Sequence, residues 1–296
     1  MTKQPRAFDI FGNIALVKFP KETKVREKKN FAEDILKRYK SVRTILEKTG
    51  KFKGRLRKQE TKHIAGEKTK EALYTENGCT FRLNTDETYF SPRLNSERKE
   101  IADKIKKGET VLVMFAGIAP YPIVIAKNSR AEKIYSNEIN KKANIYAKQN
   151  IELNKLKNRV FLLPGDIKKL TQKITDNYKS KLFIDINNRF YVNSQKNRAN
   201  TNERTNLQEV PTKFTTIVMP RPQLKDTFLK EAFALSKKGT RIYYYDFCKD
   251  DEVNQVLEKI KGEAKKARKK IKILRTKRAG EIAPYKCRIR VDLKIL

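Results

Sequence analysis

The chain has 296 residues, and its 69 Lys and Arg against 34 Asp and Glu leave a formal net charge of +35, which favours a nucleic-acid partner because basic surfaces that neutralise phosphates are the usual source of such a charge. No apolar run approaches the ~20 residues of a membrane span, and the N-terminus lacks the apolar core of a signal peptide, so we expect a cytoplasmic protein that crosses no membrane. Three scattered cysteines and a single histidine argue against a disulfide framework, a zinc site and a His-based triad, so no metal is expected.

Residues up to about 90 have the pattern of a small α+β unit. Extended chain over 8–19 is broken by Gly12-Asn13, a hairpin signal, and residues 23–49 place apolar side chains at helical steps before Gly50. Strand-like runs follow at 53–58, 61–65, 70–75 and 79–84, the last two around Asn77-Gly78. We therefore predict an N-terminal α+β domain over residues 1–90, whose many lysines either track RNA phosphates or simply solvate a helix face.

After Ser91 strands alternate with helices, which is typical of a parallel, doubly wound sheet. The predicted elements are helix 93–106, strand 111–115, helix 119–128, strand 132–137, helix 140–154, strand 159–163, strand 214–219 and helix 223–236. Residues 240–247, 251–269, 271–276 and 285–295 complete the sheet with an antiparallel edge pair, and 176–212 contains a candidate hairpin over 181–185 and 189–193. The fold class is therefore α/β, with a Rossmann-like domain over residues 91–296 after the smaller N-terminal α+β domain.

Three features at successive strand ends predict a bound adenosine. Gly117 follows a buried strand and precedes a helix whose free N–H groups can meet a ligand, although an ordinary strand-to-helix turn is the alternative for this glycine alone. Glu138 ends the next strand roughly 20 residues later, the spacing at which a carboxylate reaches a pair of ribose hydroxyls. Asp166 ends the third strand, where it can bind an adenine amino group. A single glycine in place of GxGxxG favours S-adenosylmethionine over a dinucleotide.

Seven segments, taken in chain order, carry a resemblance to a known family: DIFGNIALVKFP, GRLRKQETKHIAGE, ENGCTFRL, TYFSPRLNSER, FAGIAPYPIVIAK, SNEINKKANIYAKQNIELN and GDI. They resemble the archaeal tRNA (guanine-37-N1)-methyltransferases across residues 8–170, 213–236 and 285–295. The resemblance implies a class I methyltransferase fold, S-adenosylmethionine as the cofactor, and methyl transfer to N1 of guanosine 37 in the anticodon stem-loop of tRNA. The base would be flipped out of its stack to meet the cofactor. No protein partner is implied.

The resemblance also implies roles for individual residues. Glu97, in SPRLNSER, matches the family's general base, which is needed because N1 must lose its proton; a helix-surface Glu paired with Arg98 or Lys99 is the alternative. Arg57, with Arg55 close by, matches the arginine that holds guanine O6. The residues implied to bind the cofactor are Phe90, Arg93, Phe115, Gly117, Pro120, Glu138, Asp166 and Ile167. Those implied to meet the target base are Tyr89, Pro220, Arg221 and Pro222, with core packing as the alternative for Tyr89 and Phe90.

Three positions depart from the family pattern. Pro220-Arg221-Pro222 replaces an Asn that contacts the target base in relatives, and a proline cannot make that side-chain hydrogen bond. A Pro-x-Pro rim resembles the branch that also methylates a wyosine precursor, 4-demethylwyosine, at C7. Val113 stands where relatives often have Asp, and Ala119 where many have Gly. Two alternatives therefore stay open: the aminocarboxypropyl transferase of wybutosine synthesis, which uses the same cofactor, and a non-catalytic RNA-binding protein.

Overall fold

The computed structural model describes residues 8–50, 59–176, 181–185, 189–192, 207–221, 224–283 and 285–296. Its N-terminal part is a sheet in the order β1-β2-β3-β4, formed by β1 (Phe8–Phe11), β2 (Ile14–Val17), β3 (Thr44–Lys48) and β4 (Thr61–Gly66). The parallel strands β2 and β3 are joined by α1 (Val25–Arg38), and the other neighbours are antiparallel. The predicted helix over 23–49 was therefore wrong beyond Arg38, whereas the predicted strand over 53–58 lies outside the described residues.

The N-terminal sheet is covered on both faces, which explains the misplaced helix. Ala15 and Ile45 pack on one face with residues of α1, whereas Ile14 and Leu46 on the opposite face join the core of the C-terminal part. A strand that is buried on both faces carries a continuous apolar run without period-two alternation. The apolar residues of β3 therefore matched helical steps as well as strand steps.

A hairpin of β5 (Glu71–Glu76) and β6 (Cys79–Asn84) lies between this sheet and the C-terminal part. At the β1–β2 turn, Gly12 approaches β5 so closely that a Cβ would lie 1.7 Å from the carbonyl oxygen of Leu73. On the other side, Asn150 accepts from the N–H of Arg82 at 2.7 Å and donates to its carbonyl at 3.0 Å, as a neighbouring strand would. The hairpin thus contacts both parts, and the domain boundary at residue 90 stays a prediction.

The C-terminal part is built on a seven-stranded sheet in the order β15-β16-β14-β13-β7-β8-β9. Its strands are β7 (Thr110–Met114), β8 (Lys133–Glu138), β9 (Val160–Pro164), β13 (Phe214–Met219), β14 (Ser236–Lys249), β15 (Ile271–Ala283) and β16 (Lys286–Ile295). All neighbours from β14 to β9 are parallel, and β16 is antiparallel to both β14 and β15. The predicted doubly wound sheet with an antiparallel edge pair is confirmed.

Helices cover both faces of this sheet. They are α2 (Asn95–Lys104), α3 (Pro120–Asn128), α4 (Lys141–Leu153), α5 (Ile167–Asp176), α6 (Leu229–Ala234) and α7 (Val253–Lys266). Residues of α2, α3 and α4 share one core with Val111 and Val113, and residues of α5, α6 and α7 share the other with Leu112 and Ile217. Successive residues of a strand face opposite sides of a sheet, so β7 supplies both cores.

A small sheet follows α5, in the order β11-β10-β12, with β10 (Leu182–Ile184), β11 (Phe190–Val192) and β12 (Gln208–Val210). The hairpin predicted over 181–185 and 189–193 corresponds to β10 and β11, whereas α5 and β12 were not predicted. The helix predicted over 223–236 is shorter and spans Leu229–Ala234. Among the described residues no helix is long and apolar enough to cross a membrane.

Candidate active site

A cleft opens at the carboxyl ends of β7, β8, β9 and β13, where sheets of this kind bind ligands. It contains about 900 Å³ of space, part of it open to solvent. The residues that line it include Tyr89, Leu94, Phe115, Gly117, Tyr121, Asn137, Glu138, Gly165, Ile167, Pro220, Arg221, Tyr245, Phe247 and Arg288. Residues from several strands, the helices that follow them and the segment around Tyr89 thus meet in one concave surface.

The turn after β7 holds three residues in the left-handed region: Phe115 (φ +58°), Gly117 (φ +58°) and Ala119 (φ +66°). This conformation costs a residue other than glycine ~1–2 kcal/mol, and such strain persists only where the surroundings fix it. Glycine would adopt the φ of Ala119 without this strain. The tight turn directs the N–H of Gly117 towards Glu138.

Glu138 is fixed at the end of β8 by two backbone donors. Its Oε2 accepts from the N–H of Gly117 at 2.8 Å, and its Oε1 accepts from the N–H of Asn140 at 2.8 Å. A carboxylate oxygen accepts more than one hydrogen bond, so this anchoring is compatible with contacts to ligand hydroxyls. A carboxylate held in this way at a strand end can bind the two vicinal hydroxyls of a ribose.

The turn after β9 forms the next part of the cleft. The side-chain amide of Asn137 donates to the carbonyls of Leu163 at 2.7 Å and Gly165 at 3.1 Å, which ties this turn to β8. Ile167 lines the cleft at the start of α5. The ring of Phe115, whose centroid lies 4.9 Å from that of Phe228, supplies an aromatic wall. An anchored acceptor beside apolar walls suits a nucleoside, whose ribose is polar and whose base is flat.

Four of the eight residues predicted to bind the cofactor line this cleft: Phe115, Gly117, Glu138 and Ile167. The other four lie beside it. Phe90 packs in the core with its ring 5.2 Å from that of Tyr74, and Arg93 donates to Asp9 at 2.8 Å in a neighbouring cavity. Pro120 is buried as the first residue of α3, and the Oδ1 of Asp166 accepts from the N–H of Lys168 at 2.9 Å.

Glu97, the predicted general base, is buried on α2 behind Tyr245, which lines the cleft. Its Oε1 accepts from the Tyr245 hydroxyl at 2.8 Å and from the Arg290 guanidinium, and its Oε2 accepts from the Lys277 ammonium at 3.0 Å. The two alternative partners considered from the sequence are paired elsewhere, Arg98 with Glu76 and Lys99 with Asp103. The groups that hold Glu97 therefore come from β14, β15 and β16.

The surroundings of Glu97 shift the pKa values of its neighbours. Burial alone would raise the pKa of Glu100, but hydrogen bonds from Arg290 and Lys277 outweigh burial and lower it to about 2. Burial raises the pKa of Tyr121 to about 12 and that of Tyr245 well above its ordinary value. Both tyrosines therefore carry their hydroxyl protons at neutral pH.

The rim of the cleft after β13, which includes Pro220 and Arg221, is held in place by buried hydrogen bonds. Arg221 is 2% exposed, and its guanidinium donates to Asp246 at 2.8 Å and to the hydroxyl of Tyr244 at 3.3 Å. Tyr244 in turn donates to Asp246 at 2.7 Å. This arrangement favours a role for Arg221 in holding the rim over a direct contact with a base. Pro220 and Tyr89 line the cleft as predicted for base contacts, whereas Pro222, Arg55 and Arg57 lie outside the described residues.

Sequence reasoning missed several residues of the cleft, among them Tyr121, Tyr245, Phe247 and Arg288, and also Arg290, which is buried and pairs with Glu97. One signal was available for Tyr245 and Phe247, because they lie near the carboxyl end of a predicted parallel strand, where ligands bind. Arg288 and Arg290 lie on the antiparallel strand β16, to which that rule does not apply. In the part of the chain that the structure describes, no group of three His, Cys, Asp or Glu residues is placed to hold a metal ion.

Comparisons with known proteins identify the family and agree with the fold. The profile of the TRM5/TYW2 methyltransferase domain matches residues 72–182, and that of the TYW2 N-terminal domain matches residues 1–69. The chain is 34% identical, over 98% of its length and 100% of the relative's, to the tRNA (guanine(37)-N(1))/4-demethylwyosine(37)-methyltransferase Taw22 of Nanoarchaeum equitans. It is 31% identical to the tRNA (guanine(37)-N(1))-methyltransferase Trm5b of Pyrococcus abyssi, over 98% of this chain and 75% of that one.

Solved structures show the same fold. The crystal structure of Pyrococcus abyssi Trm5b matches with a TM-score of 0.76 at 30% identity, covering 98% of this chain and 75% of that one. The structure of Pyrococcus horikoshii TYW2 in complex with MeSAdo matches with a TM-score of 0.73 at 20% identity, covering 99% and 91%. The resemblance found in the sequence is confirmed, and the chain belongs to the TRM5/TYW2 methyltransferase family.

Proposed function

We propose that this protein is an S-adenosylmethionine-dependent tRNA methyltransferase that transfers a methyl group to N1 of guanosine 37. The observation that carries the proposal is the Glu138 carboxylate, held by two backbone N–H groups at 2.8 Å in a cleft that also contains aromatic and cationic side chains. Two relatives that match 98% of the chain are named as methyltransferases of this guanine. Those names favour methyl transfer over transfer of the aminocarboxypropyl group.

The cofactor fits one half of the cleft. Glu138 would accept from the ribose hydroxyls, and Phe115 and Ile167 would enclose the adenine. The N–H of Gly117 is already used to orient Glu138, so the turn after β7 shapes the ribose site rather than binding a phosphate. When bound, S-adenosylmethionine supplies an electrophilic methyl group on a sulfonium. Pro120, Phe90, Arg93 and Asp166 would act from outside this half, by shaping the turns and the neighbouring cavity.

The target base fits the other half. Tyr89 and Phe247 offer ring surfaces on which a flipped base can stack. The guanidinium of Arg288 lies 5.1 Å from the ring centroid of Phe247 and adds a positive charge to this wall. The net charge of +35 would bind the phosphates of the anticodon stem-loop. We carry over Glu97 as the general base for the N1 proton and Arg57 as the partner of guanine O6 from the family resemblance.

A second substrate, the wyosine precursor 4-demethylwyosine, is favoured by a specific observation. The cleft adjoins another cavity with about 1120 Å³ of space, and the two share Tyr89, Leu94 and Arg288. We propose that a base larger than guanine extends from the cleft towards this neighbouring cavity. The Nanoarchaeum equitans relative carries 4-demethylwyosine in its name. We accordingly propose dual specificity, in an enzyme of the cytoplasm whose residues 1–90 contribute to tRNA binding.

The direct test combines the protein with labelled S-adenosylmethionine and tRNA transcripts that carry guanosine or adenosine at position 37, followed by mass analysis of the nucleosides. We expect N1-methylguanosine only from the first set. The variant Glu138→Ala should raise the Kd for S-adenosylmethionine about 10- to 100-fold, since hydrogen bonds to a charged group contribute about 1.5–3 kcal/mol. Glu132→Ala, at an exposed residue directly before the same strand, should bind the cofactor normally. Cofactor binding without methylation of any tRNA would instead support a non-catalytic RNA-binding protein.

A further inference from the structure

The described site poses a chemical problem: the candidate base Glu97 is separated from the cleft. Both of its oxygens accept hydrogen bonds, from Tyr245, Arg290 and Lys277. Turning Glu97 into the cleft would break these contacts and leave Arg290, whose side chain is 0% exposed, without one of its counter-charges. Removing a partner from a buried charged group is destabilising. Glu97 therefore acts more readily through a neighbour than by moving.

Tyr245 is the neighbour of Glu97 that also lines the cleft. It lines the cleft, and its hydroxyl donates to Glu97 at 2.8 Å while accepting from the hydroxyl of Tyr121 at 3.3 Å. A phenolic hydroxyl has one donor and two acceptor positions. With the donor directed at Glu97 and one acceptor position used by Tyr121, the second acceptor position of Tyr245 remains for a donor in the cleft. The N1–H of a guanine stacked there is such a donor.

We propose that Tyr245 is a catalytic residue that passes the N1 proton of the target guanine to Glu97, an inference that rests on the proposed function. As N1 bonds to the methyl carbon with the electrons of its N–H bond, its proton moves to the Tyr245 oxygen. The hydroxyl proton of Tyr245 moves at the same time to Oε1 of Glu97. The electrons of the broken sulfur–carbon bond stay on sulfur, which becomes a neutral thioether. Tyr245 ends neutral and Glu97 ends protonated, so charges and atoms balance.

The surroundings suit a relay of this kind. Burial raises the pKa of Tyr245 well above its ordinary value, so the tyrosine passes a proton on without becoming a stable phenolate. Lys277 contacts both Glu97 and Glu100, and the side chains of Lys277 and Glu100 are 29% and 28% exposed. These two side chains lead from the buried Glu97 to solvent, where the proton can leave after each transfer.

The test uses the variant Tyr245→Phe, which keeps the ring and removes the hydroxyl. We expect the single-turnover rate on guanosine-37 tRNA to fall at least ~100-fold, the usual contribution of a positioned proton acceptor, with little change in Kd for either S-adenosylmethionine or tRNA. The residual rate should rise about tenfold per pH unit between pH 6.5 and 8.5, because N1 must then lose its proton to solvent. The double variant Tyr245→Phe with Glu97→Gln should be no slower than the slower single variant. Tyr135→Phe, which removes a buried hydroxyl that donates to the carbonyl of Glu209, is the matched control with a normal rate.

Different outcomes identify different errors. A wild-type protein that forms no N1-methylguanosine overturns the proposed function and the relay with it. A wild-type protein that methylates normally, with Tyr245→Phe within about threefold of its rate, overturns the relay alone. If Tyr245→Phe fails to fold, the wild-type rate in mixtures of H2O and D2O decides, because two protons in flight give a curved dependence on deuterium content and a single proton gives a straight line.

Discussion

The ion pair of Glu76 and Arg98 allows a quantitative test of the packing around the hairpin. The Nη2 of Arg98 donates to Oε2 of Glu76 at 2.6 Å and to the carbonyl of Ser91 at 3.0 Å, and its Nε also donates to Glu76. The two side chains are 1% and 0% exposed. The pair therefore ties β5 to α2 and to the segment that carries Tyr89 into the cleft.

The variant Glu76→Met removes one charge of this pair and leaves Arg98 buried without it. We expect the free energy of unfolding to fall by about 3–5 kcal/mol, the cost of isolating a buried charge. Replacing both residues by Met removes both charges and fills similar volume, a change that is often neutral or stabilising for buried pairs. The double variant should therefore be more stable than Glu76→Met alone, which gives a large coupling energy in the double-mutant cycle.

Urea unfolding followed by far-UV circular dichroism and tyrosine fluorescence measures these energies, since the chain contains no Trp. Lys99→Met provides the control, because Lys99 pairs with Asp103 at the surface, with side chains 43% and 54% exposed. That pair should contribute no more than about 1 kcal/mol. A loss below about 1 kcal/mol for Glu76→Met, or a double variant whose loss equals the sum of the two single losses, would refute the reasoning.

Titration, thiol reactivity and backbone conformation give three further tests. The pKa of Glu100 is lowered from 4.5 to about 2. Its ionised form therefore stabilises the fold above pH 4.5, and this stabilisation is lost as the pH falls towards 2. The difference in melting temperature between wild type and Glu100→Gln should shrink over that range. Burial raises the pKa of all three thiols, to about 11 for Cys79 and to about 12 for Cys248. None of the three cysteines should react with Ellman's reagent at pH 8 before the protein unfolds. Gly117→Ala should cost ~1–2 kcal/mol in urea unfolding because φ there is +58°, whereas Gly262→Ala in α7, with nothing within 4 Å, should stabilise the protein by about 0.5–1 kcal/mol.

Local patterns explain which parts of the fold were predictable. The units β7–α3–β8 and β8–α4–β9 each combine a short apolar strand with a helix, and the predicted bounds agree with the observed ones within one or two residues. β3 was misread because both of its faces are buried, by α1 and by the C-terminal core. That second burial depends on how the two parts pack, which no local pattern contains.

The residues of the site can likewise be separated into those that local sequence patterns locate and those that they do not. The position of Glu138 followed from its spacing after Gly117, since both belong to one β-α-β unit. The surroundings of Glu97 did not follow, because its partner Arg290 is 193 residues away in the chain. Sequence reasoning placed the alternative partners Arg98 and Lys99 next to Glu97, but neighbours in a helix point in different directions. Long-range pairing of this kind becomes visible only once the order of the strands is known.

The end of β14 explains how one strand serves two parts of the site. Side chains alternate between the faces of a strand, and Tyr244 and Tyr245 accordingly belong to opposite cores. Tyr244 bonds Arg221 and Asp246 and so fixes the rim after β13, whereas Tyr245 bonds Glu97 and Tyr121 on the other side of the sheet. A shift of β14 by one residue would move each of these tyrosines to the opposite face of the sheet and break both networks. The register of β14 between β13 and β16 therefore determines at once the shape of the cleft and the path of the proposed proton transfer.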